Sequence, residues 1–195
     1  MKYSREFTEV FAKKPVFTKA DASIFLTERG ASRAYAQTFV TNLAKYGRVN
    51  RLTPGIYSFH SDPALASFAI TPSYHALQEA LSIHGLWEQE TNTILVTPRR
   101  IRQGLRTICG GKVIVRRIDR KMFFGFESLK QGDFWVSTSD VEKTLIDIVY
   151  FKQHLNKEAL AEIKKRIDLN KLRGYLKKTP KAVKKRVSKM LRLKP

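Results

Sequence analysis

Cysteine occurs once in the 195 residues, at Cys109, so neither an internal disulfide nor a thiolate zinc set is available to the chain. A reducing cytoplasm suits such a composition. Cys109 sits between Ile108 and Gly110-Gly111 and reads as a small buried residue near a turn. Long apolar runs are missing too. Charge interrupts every segment, nothing reads as a secretion signal, and no stretch approaches the roughly 20 residues that span a bilayer. No Trp/Phe-rich amphipathic anchor is present, which argues against a membrane face as partner. Acid is the third scarce ingredient: 17 Asp/Glu stand against 37 Lys/Arg, a net charge of +20.

What is present is unevenly placed. Residues 1–60 hold 10 Lys/Arg and 4 acids, residues 61–150 hold 11 and 10, and residues 151–195 hold 16 and 3. A near-neutral middle therefore lies between two basic ends, and such ends suit a polyanion. A hydrophobic content of 43% is enough for one large core or two small ones. The expected organisation is 1–62, then 63–150, then a basic helical segment 151–195, with a short linker at His60-Ser61-Asp62-Pro63.

Residues 16–59 read as a winged helix-turn-helix. Val16-Phe17-Thr18 opens a short helix in which Thr18 caps and Asp21 is the acid three residues on. Ala20, Ile24 and Phe25 are placed inward. Gly30-Ala31-Ser32 makes the turn, and a second helix runs from Ser32 to Tyr46. Its buried face is Ala36, Phe39, Val40 and Leu43, at i, i+3, i+4 and i+7. Arg48–Leu52 and Ile56–Phe59 form a hairpin about Thr53-Pro54-Gly55, with Tyr57 and Phe59 in the core. No acid occurs between Arg29 and Ser61, which suits a surface lying on phosphates. Arg33, Gln37, Thr38 and Thr41 are the candidates to reach base edges, being amides, hydroxyls and a guanidinium. Lys45, Arg48 and Arg51 are the candidates to hold the backbone and set register.

The remainder predicts a leading helix over residues 2–12 with Phe7, Val10 and Phe11 on one side. A further helix is expected from Thr71-Pro72, carrying Tyr74, Leu77, Leu81 and Ile83. Strands are expected at Thr93–Thr97, Lys112–Asp119, Phe123–Phe126 and Phe134–Val136, with residues 99–108 helical or irregular. Ser139-Asp140-Val141-Glu142 reads as a capping box before a strong helix. In the last helix, Val183, Val187, Met190 and Leu191 keep helical spacing. Lys184, Lys185, Arg186 and Lys189 crowd the rest of its surface as candidate polyanion contacts. The class implied is α+β.

No catalytic or cofactor pattern stands out, and no residue is assigned a catalytic role. His75 and His84 are nine apart with no carboxylate or thiol completing a metal set, so they read as helix-end or surface histidines. Glu142-Lys143 are adjacent rather than spaced as in a restriction-type nuclease core, and Glu142 reads as the capping acid. No Gly-rich phosphate loop is found.

Taken in order, five stretches resemble the AbiEi family of antitoxins. They are Phe17-Thr18-Lys19-Ala20-Asp21, the wing Arg51-Leu52-Thr53-Pro54-Gly55-Ile56-Tyr57, and Ala80-Leu81-Ser82-Ile83-His84-Gly85-Leu86. Ser139-Asp140-Val141-Glu142-Lys143-Thr144-Leu145-Ile146-Asp147 follows, then Leu169–Leu193 with Leu172, Tyr175, Pro180, Val183 and Arg186. The resemblance implies an N-terminal winged helix that represses its own operon at inverted repeats in double-stranded DNA, as a dimer or by cooperative binding. It also implies an α/β antitoxin domain that counters a nucleotidyltransferase toxin, by direct contact or without it, within a type IV toxin–antitoxin system of phage defence. No cofactor is implied. Two rivals stay open from the residues alone: a Mg²⁺-dependent nuclease using Asp119, and a protein whose basic tail grips structured RNA.

Overall fold

The computed structural model describes residues 2–193; the outermost residues of the first and last expected segments, Met1 and Lys194-Pro195, lie outside the described residues. The chain has an α+β fold and divides into two compact units. The first holds the N-terminal stretch through Thr71 together with Thr107–Val113; the second holds Pro72–Arg106 and the residues from Ile114 onward.

In the first unit the order is α1 (Ser4–Phe11), β1 (Phe17–Thr18), α2 (Lys19–Thr27), α3 (Arg33–Lys45), β2 (Asn50–Thr53) and β3 (Ile56–Ser58). A 3₁₀ turn at Pro63–Leu65 and the short α4 (Ala66–Ala69) follow. Six rings build the core: Phe7, Phe11, Phe17, Phe25, Phe39 and Tyr57 are all buried. Phe7 is its hub, with ring centroids of Phe11, Phe39, Phe17 and Phe25 at 4.4, 5.1, 5.3 and 5.6 Å. The last three distances fall within the range where edge-to-face and offset stacking add to plain area burial, and the first lies at its lower edge.

Phe17–Thr18 does not open the helix as expected but forms β1, pairing with Tyr57 and Ile56 of β3 to give a sheet of order β1-β3-β2. Thr18 still caps α2: its Oγ1 accepts from Asp21 N–H at 3.0 Å, and Asp21 Oδ2 accepts from Thr18 N–H at 2.8 Å. Burial of α2 falls on Ala22, Phe25 and Leu26, while Ala20 and Ile24 are exposed, so the inward face differs from the expected one. Val10 of α1 is exposed as well, because Phe7 and Phe11, one turn apart, already occupy the core-facing side.

The second sheet has the order β6-β7-β5-β4-β9-β8. Its strands are β4 (Tyr74–His75), β5 (Thr93–Thr97), β6 (Gly104–Ile108), β7 (Gly111–Arg117), β8 (Phe126–Gln131) and β9 (Phe134–Ser139). The helices are α5 (Leu77–Ile83), α6 (Val141–Tyr150), α7 (Lys157–Arg166), α8 (Leu169–Leu176) and α9 (Lys181–Leu191). The sequence pattern places Tyr74-His75 inside a helix. Both residues instead pair antiparallel with β5, and His75 pairs parallel with Thr138 of β9, so sheet hydrogen bonds override a local cap signal. Residues 99–108, expected to be helical or irregular, are irregular only to Gln103. The second half is β6, entered through Gly104 at φ +111°.

Helix α6 is the centre of this unit. Eight consecutive residues, Glu142 to Val149, are buried, so it is covered on all sides rather than along one stripe. Leu172, Leu176, Val183 and Val187 of α8 and α9 share its core. The basic C-terminal helices thus have a buried apolar face.

Replacing Phe7 by Ala should destabilise the first unit by about 3–5 kcal/mol, since a central ring is removed from a packed cluster. Val10→Ala should stay within about 0.5 kcal/mol. Urea unfolding followed by amide hydrogen exchange in α3 measures both.

Candidate nucleic-acid interface

Helix α3 begins at Ser32, whose hydroxyl accepts from Tyr35 N–H at 3.2 Å. It buries Ala36, Phe39, Val40 and Leu43, the four residues its periodicity selects. Arg33, Gln37, Thr38, Thr41 and Lys45 are exposed, and so are Arg48 and Arg51 on and beside the hairpin. Thr38 Oγ1 lies 3.1 Å from Tyr35 O and 3.3 Å from Ala34 O, so its proton is directed back to the helix. What Thr38 presents outward is lone-pair acceptor capacity and a methyl group.

The hairpin closes through Gly55 at φ +87°, a conformation that favours glycine. Gly55 O accepts from Lys19 N–H at 3.1 Å, which ties the turn to the start of α2. Arg48 also borders a broad groove with Arg5 and Lys13 of the leading segment. Periodicity singled out neither of these two cations. Only the first unit's tertiary packing places them near Arg48.

A second cationic surface lies on α9. Val183 and Val187 are buried, while Lys184, Lys185, Arg186 and Lys189 are exposed. Arg186 and Lys189 rim a groove of about 590 Å³ whose apolar lining includes Ile148, Val149, Leu155 and Met190.

The Ser139–Asp147 motif caps α6 as expected, but one residue later and without Glu142. Asp140, not Ser139, is the N-cap of α6, accepting from Lys143 N–H at 2.8 Å. Glu142, expected as the capping acid, is buried and accepts from Asp168 N–H at 2.7 Å. Lys143 and Asp147, one turn apart and both fully buried, form an ion pair. Tyr74 completes the group: its hydroxyl donates to Asp147 Oδ2 at 2.8 Å and accepts from Lys143 Nζ at 2.9 Å. Burial pushes the Lys143 ammonium down and the Asp147 carboxyl up, each against the pull of its partner.

Carboxylates at the start of α6 also bind α8. Lys171 Nζ is 3.1 Å from Asp140 Oδ2 and 3.3 Å from Glu142 Oε2, and Tyr175 donates to Asp140 Oδ2 at 2.8 Å. Partial burial works against the Lys171 charge, but the two carboxylates outweigh it and hold the ammonium above its usual range. The Tyr175 phenol is pushed up to about 12 by burial and by its hydrogen bond to Asp140. Gly125 packs against this corner; a Cβ there would meet Lys143 Cβ and Tyr175 Cε2 at 2.9 Å.

His84 ends α5, with its Nε2 2.7 Å from Ser139 O. His75 is neither a surface nor a helix-end residue. It is fully buried, with Nδ1 2.9 Å from Glu79 Oε1, because β4 runs between β5 and β9. Asp119 caps the 3₁₀ turn at Arg120–Met122 by accepting from Lys121 N–H at 2.8 Å. Among the described residues no group of three or more His, Cys, Asp or Glu is placed to hold a metal ion, and no helix is long and apolar enough to cross a membrane.

The fold is similar to the crystal structure of the RV2827C protein from Mycobacterium tuberculosis. The TM-score is 0.68 at 17% identity, covering 98% of this chain and 77% of that one. At this identity the likeness is one of fold. No family model matches the chain, and no curated protein matches it.

Lys143→Met should cost about 3–5 kcal/mol by stranding Asp147 in the core, and Lys143→Met/Asp147→Leu should regain most of it. Chemical denaturation of the three proteins tests this. A second expectation concerns alkaline pH. A phenol raised in the folded state contributes stability below its unfolded value near 10, which is lost as pH climbs toward 12. Melting temperature should therefore fall less steeply over pH 10–12 in Tyr175→Phe than in the parent.

Proposed function

We propose that the chain is a DNA-binding autorepressor and the antitoxin of a type IV toxin–antitoxin pair, acting in the cytoplasm without catalysis. The observation that carries the reading is the acid-free stretch from Gly30 to His60, whose amides, hydroxyls and cations stand exposed on α3 and the hairpin. Helix, turn, helix and hairpin follow one another in the order of a winged helix-turn-helix, which seats its second helix in a major groove. The five stretches resembling AbiEi antitoxins support the same reading and add the toxin as counterpart.

In this reading Arg33, Gln37, Thr38 and Thr41 read base edges. Thr38 accepts from an exocyclic amine or lays its methyl against thymine, since its own proton is turned inward. Lys45, Arg48 and Arg51 neutralise phosphates. The operator is an inverted repeat, so two copies bind together. The exposed cations of α9 supply a further polyanion contact, and the groove that Arg186 and Lys189 rim suits an acidic segment of the toxin.

Each phosphate neutralised contributes about 0.9 to the slope of log affinity against log salt. Lys45, Arg48 and Arg51 together predict a slope no shallower than about −2.7 for one copy on its own promoter. Arg48→Ala/Arg51→Ala should flatten the slope by about 2 and weaken all duplexes alike, whereas Thr38→Ala/Thr41→Ala should narrow the gap between operator and random DNA. Fluorescence anisotropy over a salt series measures both. A footprint with no protection upstream of the chain's own gene overturns the reading.

A further inference from the structure

A cationic cleft on the second unit has no role in the reading above. Two stretches make it: residues 98–100 after β5, and residues 117–121 from the end of β7 into the 3₁₀ turn. Hydrogen bonds tie the chain around the ends of β5 and β7 together. Ile118 N–H donates to Thr97 O at 3.0 Å, and Arg117 N–H donates to Gln103 Oε1 at 2.9 Å. Thr97 in turn donates to Pro72 O at 2.6 Å. The cleft walls are therefore held in place before any ligand arrives.

The cleft measures about 500 Å³ and is lined by Arg99, Arg100, Arg117, Arg120 and Lys121. Its one acid, Asp119, is already engaged by Lys121 N–H. Among the described residues no carboxylate lies within 4 Å of the side-chain nitrogens of Arg100, Arg117, Arg120 or Lys121. So dense a group of like charges repels itself, and an anion of several charges relieves that repulsion.

A neighbouring lobe of about 330 Å³ shares Pro98, Arg99 and Arg120 with the cleft and adds Pro72 and Phe123. Phe123 is held by Tyr74 and Phe126, with ring centroids at 5.4 and 4.9 Å. One end is thus multiply cationic and the other offers an aromatic ring and two proline faces. Forked guanidiniums suit phosphate oxygens, and a ring face suits a planar base. The two lobes together match the size of pockets that enclose small ligands.

From this juxtaposition we propose that the second unit binds a nucleoside polyphosphate, with the phosphates on Arg100, Arg117 and Arg120 and the base against Phe123. A concave, two-lobed site favours a mononucleotide over the continuous backbone of a duplex. The proposal is independent of the DNA-binding reading, because it concerns residues outside α3 and the hairpin.

Isothermal titration of the full chain with ATP, inorganic triphosphate and adenosine, at about 0.15 M salt to screen diffuse attraction, tests it. ATP should bind one to one, at least tenfold tighter than inorganic triphosphate and tighter still than adenosine. Arg117→Ala/Arg120→Ala should lose at least tenfold for ATP, with a far-ultraviolet spectrum like the parent's. Failure of ATP to bind overturns the proposal, and so does equal affinity for ATP and triphosphate. A double variant that keeps full ATP affinity overturns it as well. Where the double variant weakens duplex DNA and ATP binds neither protein, the cluster belongs to a nucleic-acid face and the nucleotide site does not exist.

Discussion

A chain with a net charge of +20 must turn nearly all its cations outward while still closing an apolar core against their mutual repulsion. Everything else in the molecule follows from how that is done. In the first unit a cluster of phenylalanines, centred on Phe7, takes the apolar side of α3 and leaves the opposite side to Arg33, Gln37, Thr38, Thr41 and Lys45. No acid occurs in the sequence from Gly30 to His60, and among the described residues none of the cations on that side is in a salt bridge.

The second unit meets the same constraint differently. Helix α6 is buried all round, and its polar residues are paired inside: Lys143 with Asp147 and Tyr74, and Asp140 and Glu142 with Lys171 of α8. Such pairs add little net stability over apolar packing, but losing one partner is costly. They join α8 to the start of α6 beside Leu172 and Leu176, which enter the core, while most cations of the C-terminal helices stay exposed. Carboxylates, scarce in this sequence, are concentrated at that corner.

How legible this was depended on how local the cause is. The buried face of α3 and the cap at Thr18 are set within a few residues, and both were readable from spacing alone. Strands β1 and β4 are two residues long and exist only because distant partners, Tyr57 in one case and Leu95 and Thr138 in the other, complete them. No local pattern announces such a strand, and the Thr71-Pro72 signal pointed to a helix instead. Glu142 stood at a capping position, yet its partners Asp168 and Lys171 lie a helix away. The basic character of residues 99–108 was visible, but that Arg117 and Arg120 join Arg99 and Arg100 in one cleft depends on how β5 and β7 end.

In the proposed function, the acid-free side of α3 and the hairpin lies on duplex DNA. Hydrogen exchange of the full chain, with and without a duplex taken from upstream of its own reading frame, tests this most directly. Slowed exchange in residues 33–45 and 48–57 is the predicted result. Unchanged exchange there under saturating duplex, with protection confined to the second unit, would contradict it.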